Sequence, residues 1–550
     1  SYTAEADENV ILDKISAIVN AEANADGKFE KVEITNGDAV VAAMSEVAAG
    51  STFEIDVAVK YTLGEFTADR TYKLIFTRKA SPETGKDPTA ANIGTVYDEN
   101  GIKISYAKKI EVDGKAILAD GTGIHGGHES KVVRTPYGTF SVYVNDSRVD
   151  SDGIQWDKFT VIKISSDKFE VVFEAEYPHS QGSCAPNIFA GNGSTIYISI
   201  ISVDQPKYVH QQRQEGAWLT IYEINAATNE YQSYQANPNF AVTGKGGYGY
   251  SQPIPDIENG KIYALYTGGD IPGQLAWFTF DINSHKWMPE CRTVETEFRC
   301  CYFNAYADGN GGFIFVGQRD VKKSTFANLI NNPAFGGSGY IQDIIYLFRV
   351  PDATKEEVIS KMVRDPKYTS STPLSGLISQ RTYGTGCTYL DSDGNFHLLY
   401  SNTKGETSTL YHSVYDKELN VVSPDKSMLA LFTTSKTTPR RLFMTQAPDG
   451  TFYIFASNVP KNAATAYTPA QFDIYKSSDG INFTRLIDTT VEIKTEDGTT
   501  FNCREMKFIV TAPRNNSTMD GTVGIMFYYP KTEGYSEYYD YYYMAIDFVN

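Results

Sequence analysis

A chain of 550 residues with a net charge of −18, 13% aromatic residues and 38 tyrosines is too long for one small core and too acidic to offer the basic stripe that nucleic acid requires. Such aromatic content is typical of extracellular β proteins with sugar-facing surfaces rather than of helical enzymes. No apolar run approaches the roughly 20 residues needed to span a bilayer, and six cysteines in so long a chain do not read as a disulfide framework.

The segments KFEKVEI, DAVVAAM, STFEIDVAVKY and TYKLIFTRK alternate like strands, and residues 1–80 are expected to form a small β-sandwich-like or α+β module. ILDKISAIVNAEA reads as a strand or a short helix. SPETGKDPTAANIG follows, and its Pro, Gly and Thr content makes residues 81–92 the expected linker. The simplest role for the module is that of a spacer. Because the chain starts at Ser1 without a methionine, it is expected to be a mature or truncated form whose export signal has been removed. The expected location is extracytoplasmic, secreted or tethered at a bacterial surface.

From residue 93 to 550 one unit recurs: a polar lead-in, an apolar strand, a turn, a second strand and then an outer hairpin. Copies begin at His125, Cys184, Tyr250, Arg299, Ser379, Arg440 and Arg504. The clearest, SQRTYGTGCTYLDSDGNFHLLY from Ser379, places Asp393-Gly394 at a tight hairpin turn, because glycine accepts the positive φ such turns need. A period of roughly 60 residues fits one four-stranded blade per copy. The expected fold is therefore all-β, a seven-bladed β-propeller of four-stranded antiparallel blades behind the small N-terminal β domain. The last segment, YYDYYYMAIDFVN, has no hairpin partner after it, and NIGTVYDENGIKISY from Asn92 has no inner strand before it. Together they complete one mixed blade that closes the ring.

Cys184, Cys300, Cys301, Cys387 and Cys503 stand at starts of inner strands and Cys291 just ahead of one, so they read as small residues packing near the axis; their spacings match no zinc pattern.

SSDGINFTRL at Ser477 resembles the Asp-box of sialidase-type (BNR-repeat) propellers, with Ser477 and Asp479 in place, the glycine one position early at Gly480, and Phe483 for the tryptophan. In that family the box is structural, its aspartate and serine bonding the turn while the aromatic packs into the blade. The strand TYKLIFTRKA resembles the last strand of immunoglobulin-like modules that precede catalytic or binding domains in exported proteins of glycan-degrading gut bacteria.

Function in a propeller gathers where the chain leads into each inner strand, since those segments converge on one face. The lead-ins supply His125, His128 and Glu129; His179 and Gln181; Tyr248, Tyr250 and Gln252; Glu297 and Arg299; Arg381 and Tyr383; Arg440 and Arg441; Arg504 and Glu505. In an acidic chain this is a local reversal of sign. Arginines from several blades select a carboxylate or sulfate, because the guanidinium fork matches those groups bidentately. The expected partner is an anionic glycan carrying uronic acid, sialic acid or sulfate, with tyrosines as flat faces for sugar rings.

Three chemistries fit this ring. HGGHES with the following strand and PYG turn is similar to the first-blade histidine segment of seven-bladed polysaccharide lyases related to BNR-repeat proteins. That resemblance implies His125 or His128 as base, Tyr248 or Tyr250 as acid and Arg299 or Arg381 on the uronate carboxylate; Glu129, His179, Tyr383, Arg440, Arg441, Arg504 and Glu505 are the further substrate-binding candidates. No cofactor is expected and no metal ligands are assigned, although a divalent cation is a second way to neutralise the carboxylate. A sialidase-like hydrolase would need three arginines, a tyrosine nucleophile and an aspartic acid, but the arginine-isoleucine-proline motif is absent and histidines stand where the early-blade arginine belongs. A two-carboxylate glycosidase would draw on Glu129, Glu297 and Glu505. The rival without chemistry is a glycan- or protein-binding scaffold.

Overall fold

The computed structural model describes residues 31–37, 39–40, 52–77, 86–113, 115–116, 118–120, 130–151, 155–178, 186–202, 218–236, 250–268, 272–296, 299–319, 321–322, 340–341, 345–363, 380–404, 407–427, 437–460, 469–486, 491–502, 506–530 and 538–549. Ser1–Gly85 is one compact unit and Lys86–Asn550 a second.

In the first unit Lys31–Ile34, Thr52–Leu63 and Phe66–Thr77 form a three-stranded antiparallel sheet. Alternation along its long central strand buries Val57, Val59 and Tyr61. DAVVAAM departs from the expected strand: Ala39 and Val40 are helical, and the Val40 N–H donates to the Asn36 carbonyl at 3.1 Å. The Asn36 side chain, rather than continued backbone, completes the pairing, donating to the Asp56 carbonyl and accepting from the Ala58 N–H, both at 2.8 Å. That releases the chain into a helical turn, which alanine favours.

The second unit holds seven antiparallel blades. Four-stranded sheets with inner strands Val132–Thr135, Asn187–Ala190, Tyr250–Asp256, Cys300–Ala307 and Gln380–Leu390 are blades 1 to 5. Blade 6 starts at Thr437–Gln446. Blade 7 runs from Lys507–Val510 through Thr522–Pro530 to Tyr538–Phe548, and then to Ile102–Ser105 and Thr95–Glu99 from the other end of the unit. Each inner strand lies against the inner strand of the next blade, and that of blade 7 returns to blade 1. The ring is closed, with no bare edge between first and last blades.

What binds the blades is apolar packing between their faces. Ile196, Ile198 and Phe159 join blades 1 and 2, while Trp277 and Phe313 join 3 and 4. Ile314 and Leu398 join 4 and 5; Leu399 and Ile454 join 5 and 6. Strands buried on both faces need apolar or aromatic groups at every position, and this explains the tyrosine content better than sugar stacking does. Tyr541, Tyr542 and Tyr543 in the last strand are all buried. Several polar tips then bond across to the next blade: Tyr306 Oη donates to the Thr388 carbonyl at 2.9 Å, and Tyr389 Oη accepts the Gln446 N–H at 3.1 Å. Trp277 Nε1 donates to the Ala353 carbonyl at 2.8 Å. Burial pushes both the Tyr306 and Tyr389 phenols up to about 12, so they stay protonated bolts.

The stretch expected as linker is partly structural. Ala90 is buried, Thr89 caps the short helix Ala90–Ile93, and Tyr543 Oη donates to the Pro88 carbonyl at 3.2 Å. Asp87 forms one side of a clasp in which the buried Arg134 donates to Asp87 Oδ1 at 2.8 Å and to Asp520 Oδ1 at 2.9 Å, fastening blade 1 to blade 7. Burial alone would weaken the Arg134 charge, but these two carboxylates hold it protonated beyond its ordinary range.

The turns show why aspartate recurs. In blade 5 the strands last pair at Leu390 and Phe396, so the turn expected at Asp393-Gly394 spans residues 391–395. Asp391 Oδ1 accepts the Asp393 and Asn395 N–H groups at 3.0 and 2.7 Å, and Gly394 takes φ 81°. Asp391 Oδ2 also lies 3.0 Å from His397 Nε2, and His397 Nδ1 lies 3.2 Å from His412 Nε2, both rings buried. With the carboxylate ionised, His397 Nε2–H donates to it, leaving Nδ1 to accept from His412 Nε2–H.

Burial disfavours the Asp391 carboxylate, yet the bonds from His397 and Asn395 leave its pKa below the ordinary aspartate value. A depressed folded pKa contributes stability that is present above the unfolded value of about 3.9 and lost as pH falls through the folded one. Denaturant melts across pH are therefore expected to steepen below about pH 4 in the native chain and to flatten in Asp391→Asn, which also loses roughly 1–2 kcal/mol at neutral pH. Parallel pH curves for the two proteins would refute this assignment.

Candidate functional site

Inner strands present their axial edges to one another, and the residues there are polar but largely self-satisfied. Ser130, just before the blade 1 inner strand, donates its N–H to Asn187 Oδ1 and its hydroxyl to the Ile188 carbonyl, both at 2.6 Å. Gln252 sits in blade 3 as an amide bridge, donating to the Ala305 carbonyl and accepting from its N–H, both at 3.1 Å. It mimics a strand across the blade 3 to 4 gap. Lys131 is buried and donates to the Pro186 carbonyl at 2.6 Å, tying blade 1 to the start of blade 2.

The turn between the first two strands of blade 7 reaches in among the inner strands. Its Pro513–Asn515 segment is a single 3-10 turn touching inner strands of blades 2, 3, 4 and 5. Asn515 Nδ2 donates to Ser130 Oγ at 2.8 Å and to the Val132 carbonyl at 2.7 Å, and Arg514 Nη1 donates to Asn304 Oδ1 at 2.6 Å. Asn516 holds φ 55° and reaches the Ala190 carbonyl at 3.1 Å through Nδ2; asparagine tolerates that left-handed backbone. Ser130, Phe189, Gln252, Pro253, Arg514 and Asn515 line a small cavity against this turn.

Of the ring residues expected from sequence, Gln252 and Arg299 have described side chains; Gln252 is spent on the bridge to Ala305, and Arg299 is buried at 2% exposure beside a second buried arginine, Arg319, which pairs with Cys300 across the strands. Tyr250 opens the blade 3 inner strand opposite Thr267. Arg381 and Tyr383 lie in the blade 5 inner strand opposite Thr403 and Ser401, and Arg440 and Arg441 lie in that of blade 6. His125, His128, Glu129, His179, Tyr248, Arg504 and Glu505 lie outside the described residues.

Three consecutive inner strands are bulged on the segments that carry these groups. In blade 4 the register shifts between Cys301 and Asn304, and in blade 6 between Pro439 and Arg441, which leaves Arg440 as the extra residue. In blade 5 the shift falls between Tyr383 and Cys387, where Gly384, Thr385 and Gly386 stand against Tyr400 alone. Bulges unpair and re-aim residues, and they concentrate next to active sites.

Sequence reasoning missed Arg319, Lys131 and Arg514. Arg319 ends a second strand and Arg514 lies in what reads as merely a longer turn, so neither stands on a lead-in. Arg134 is the early-blade arginine by position, but Asp87 and Asp520 occupy it, so it does not replace the missing sialidase arginine. Cys300 and Cys387 are buried free thiols, and burial raises the Cys387 pKa well above its ordinary value. Among the described residues no group of three His, Cys, Asp or Glu is arranged to hold a metal, and no helix is long and apolar enough to cross a membrane.

No protein-family model matches the chain, and no curated protein matches it. Among solved structures it is similar to the polysaccharide lyase Uly1, at 13% identity and a TM-score of 0.48, over 85% of this chain and 97% of that one. A PL25 ulvan lyase bound to -[GlcA(1-4)Rha3S]- matches at 10% identity and a TM-score of 0.47, over 77% and 94%. The α-L-arabinofuranosidase Arb93A from Fusarium graminearum matches at 11% identity and a TM-score of 0.34, over 70% and 98%. The propeller assignment rests on the closed ring of sheets described above.

Proposed function

We propose that this chain binds an anionic polysaccharide at the lead-in face of the propeller and cleaves it by β-elimination. The observation that carries this reading is the run of bulges in blades 4 to 6, on strands carrying Arg381, Tyr383, Arg440 and Arg441 and beside the buried pair Arg299 and Arg319. Cations gathered on re-aimed strand ends, in a protein of net charge −18, suit a carboxylate-bearing sugar.

In the proposed reaction arginine neutralises the uronate carboxylate and so acidifies the neighbouring C–H. His125 or His128 removes that proton. The C–H electron pair becomes the new C=C bond, the bond to the bridging oxygen breaks, and the phenol of Tyr248 or Tyr250 protonates the departing oxygen. No water or cofactor is consumed. Kinship with BNR-repeat propellers belongs to the same proposal, supported by the Ser477 turn: Asp479 Oδ1 accepts from Ser477 Oγ and from the Ile481 and Asn482 N–H groups at 2.8, 2.9 and 2.8 Å, and Phe483 is buried. An extracytoplasmic location and a spacer role for the N-terminal unit complete it.

The test is a screen against uronic acid and sulfated polysaccharides, followed by ultraviolet absorbance of the new double bond, with sialoside hydrolysis alongside. Turnover on one polymer is expected to fall by about 10²–10⁴-fold in His125→Ala or His128→Ala and in Tyr248→Phe or Tyr250→Phe, with binding largely kept. Binding without any absorbance change would make this a non-catalytic glycan-binding propeller, and sialoside release would replace elimination with hydrolysis.

A further inference from the structure

The three bulges are unequal. Blade 4 gains one residue, since Tyr302 and Phe303 stand against Gly317, and blade 6 gains one at Arg440. Blade 5 gains two, because Gly384, Thr385 and Gly386 all stand against Tyr400. Its second strand is regular at this point: pairing with the third strand runs unbroken from Phe396 opposite Tyr415 to Lys404 opposite Thr407, and the Tyr400 and Tyr411 rings stack at 5.4 Å. The surplus therefore bows away from that strand. The inner strand is the last of its sheet, with its other edge toward the axis, so the bow opens into the axial space. Both ends of it are tied. Tyr383 pairs with Ser401 on one side, and on the other the buried Cys387 pairs with Leu399 and takes the Met444 N–H of blade 6 on its sulfur.

Three residues bring three N–H donors, and Tyr400 has one carbonyl to offer them. The surplus donors find their partners beyond this ladder. Glycine on both sides of Thr385 leaves the backbone uncovered by Cβ atoms, which lets a ligand come close to it. We propose that the Thr385 N–H, the middle one of the three and the farthest from the pairs at either end, binds the carboxylate of the sugar being cleaved. The proposal rests on the reading of this protein as an eliminating enzyme and adds a backbone group to it. When the base takes the C–H proton, the electron pair spreads onto the carboxylate oxygens before it forms the C=C bond and the bridging oxygen leaves with its own pair. Negative charge on that carboxylate thus grows on the way to the transition state. A fixed amide stabilises it there without reorganising and without a net charge of its own. Arg381 and Tyr383 precede the bulge on the same strand, so cation and amide come from one segment.

Proline removes an N–H, and a bulge is where a strand tolerates it. In Thr385→Pro the amide donor is gone, whereas in Thr385→Ala it stays and only the side chain changes. The full chain and both variants are assayed on polygalacturonate, alginate, hyaluronan and chondroitin sulfate by ultraviolet absorbance, with affinity measured alongside and thermal melts reporting folding. On the polymer that the native chain cleaves, turnover is expected to fall by about 10²–10³-fold in Thr385→Pro, to stay at least about tenfold higher in Thr385→Ala than in Thr385→Pro, and to fall far more than affinity does. Native turnover in Thr385→Pro, or an equal loss in the two variants, overturns the proposal while leaving the elimination reading intact. Should Thr385→Pro fail to fold, hydrogen exchange on the native chain answers instead. The cleaved oligosaccharides, which keep the carboxylate, are expected to slow exchange at the Thr385 amide by at least severalfold, and exchange that they leave unchanged overturns the proposal. A native chain that raises no absorbance on any of these polymers removes the elimination reading and this one with it.

Discussion

A chain ending at residue 537 is expected not to form the propeller at all. The missing strand, Tyr538–Phe548, pairs with Thr522–Pro530 on one side and with Ile102–Ser105, Lys108–Lys109 and Leu118–Asp120 on the other. It is apolar on both faces: Tyr541, Tyr543 and Ala545 pack toward blade 1, and Tyr542, Met544 and Ile546 toward blade 6. At about 1.5–3 kcal/mol for each large side chain buried, these groups together rival the 5–15 kcal/mol that separates typical folded and unfolded chains. The truncated protein should show no cooperative thermal transition and should elute as aggregate. A sharp melt within a few degrees of the full chain would mean that six blades and a fragment are self-sufficient, and that the closing strand is dispensable.

Arg134→Met is expected to cost about 3 kcal/mol, the largest loss from a single charged side chain among the described residues, because it leaves Asp87 and Asp520 facing each other without a cation. Both aspartates are half-exposed, 46% and 43% at the side chain, so water relieves part of the repulsion, and Asp87→Asn or Asp520→Asn alone should cost less. Arg134→Lys should recover little, since one ammonium cannot reach two carboxylates with the geometry of a guanidinium fork. Urea midpoints of the four variants measure the series. Equal midpoints for Arg134→Met and the native chain would show that the clasp is ornamental and that apolar packing alone holds blade 1 to blade 7.

Much of the fold could be read in advance because blades are local. Asp391 to Asn395 and Ala447 to Thr451 announce hairpins within their own few residues, and the alternating runs around them need no distant partner to be recognised. The unpaired ends, NIGTVYDENGIKISY and YYDYYYMAIDFVN, were legible as one blade for the opposite reason: each lacked something that the other had. What escaped was nonlocal. Nothing near Asp87 in sequence marks it as a partner of Arg134, 47 positions away, and PRNNSTMD reads as a long turn until Asn515 is seen bonded to Ser130, 385 positions away. Bulges were hidden too, since a residue added to one strand is visible only against its neighbour. Of the candidate site, the recurrence of arginines on lead-ins is visible in the sequence, while Arg514 is not singled out there, because it lies in the turn that follows an inner strand.

The mixed blade also sets a timetable. Ala545 donates its N–H to Ser105 Oγ across 440 positions, so the strand that opens the propeller waits for one made 440 positions later. Until then blade 1 has a bare flank and Ile102–Ser105 an unpaired edge, each able to recruit a neighbouring nascent chain. Closure of the ring is therefore a single event that follows synthesis of all seven blades, and the yield of native protein should depend on chain concentration and on holding chaperones more than on how fast any individual blade forms.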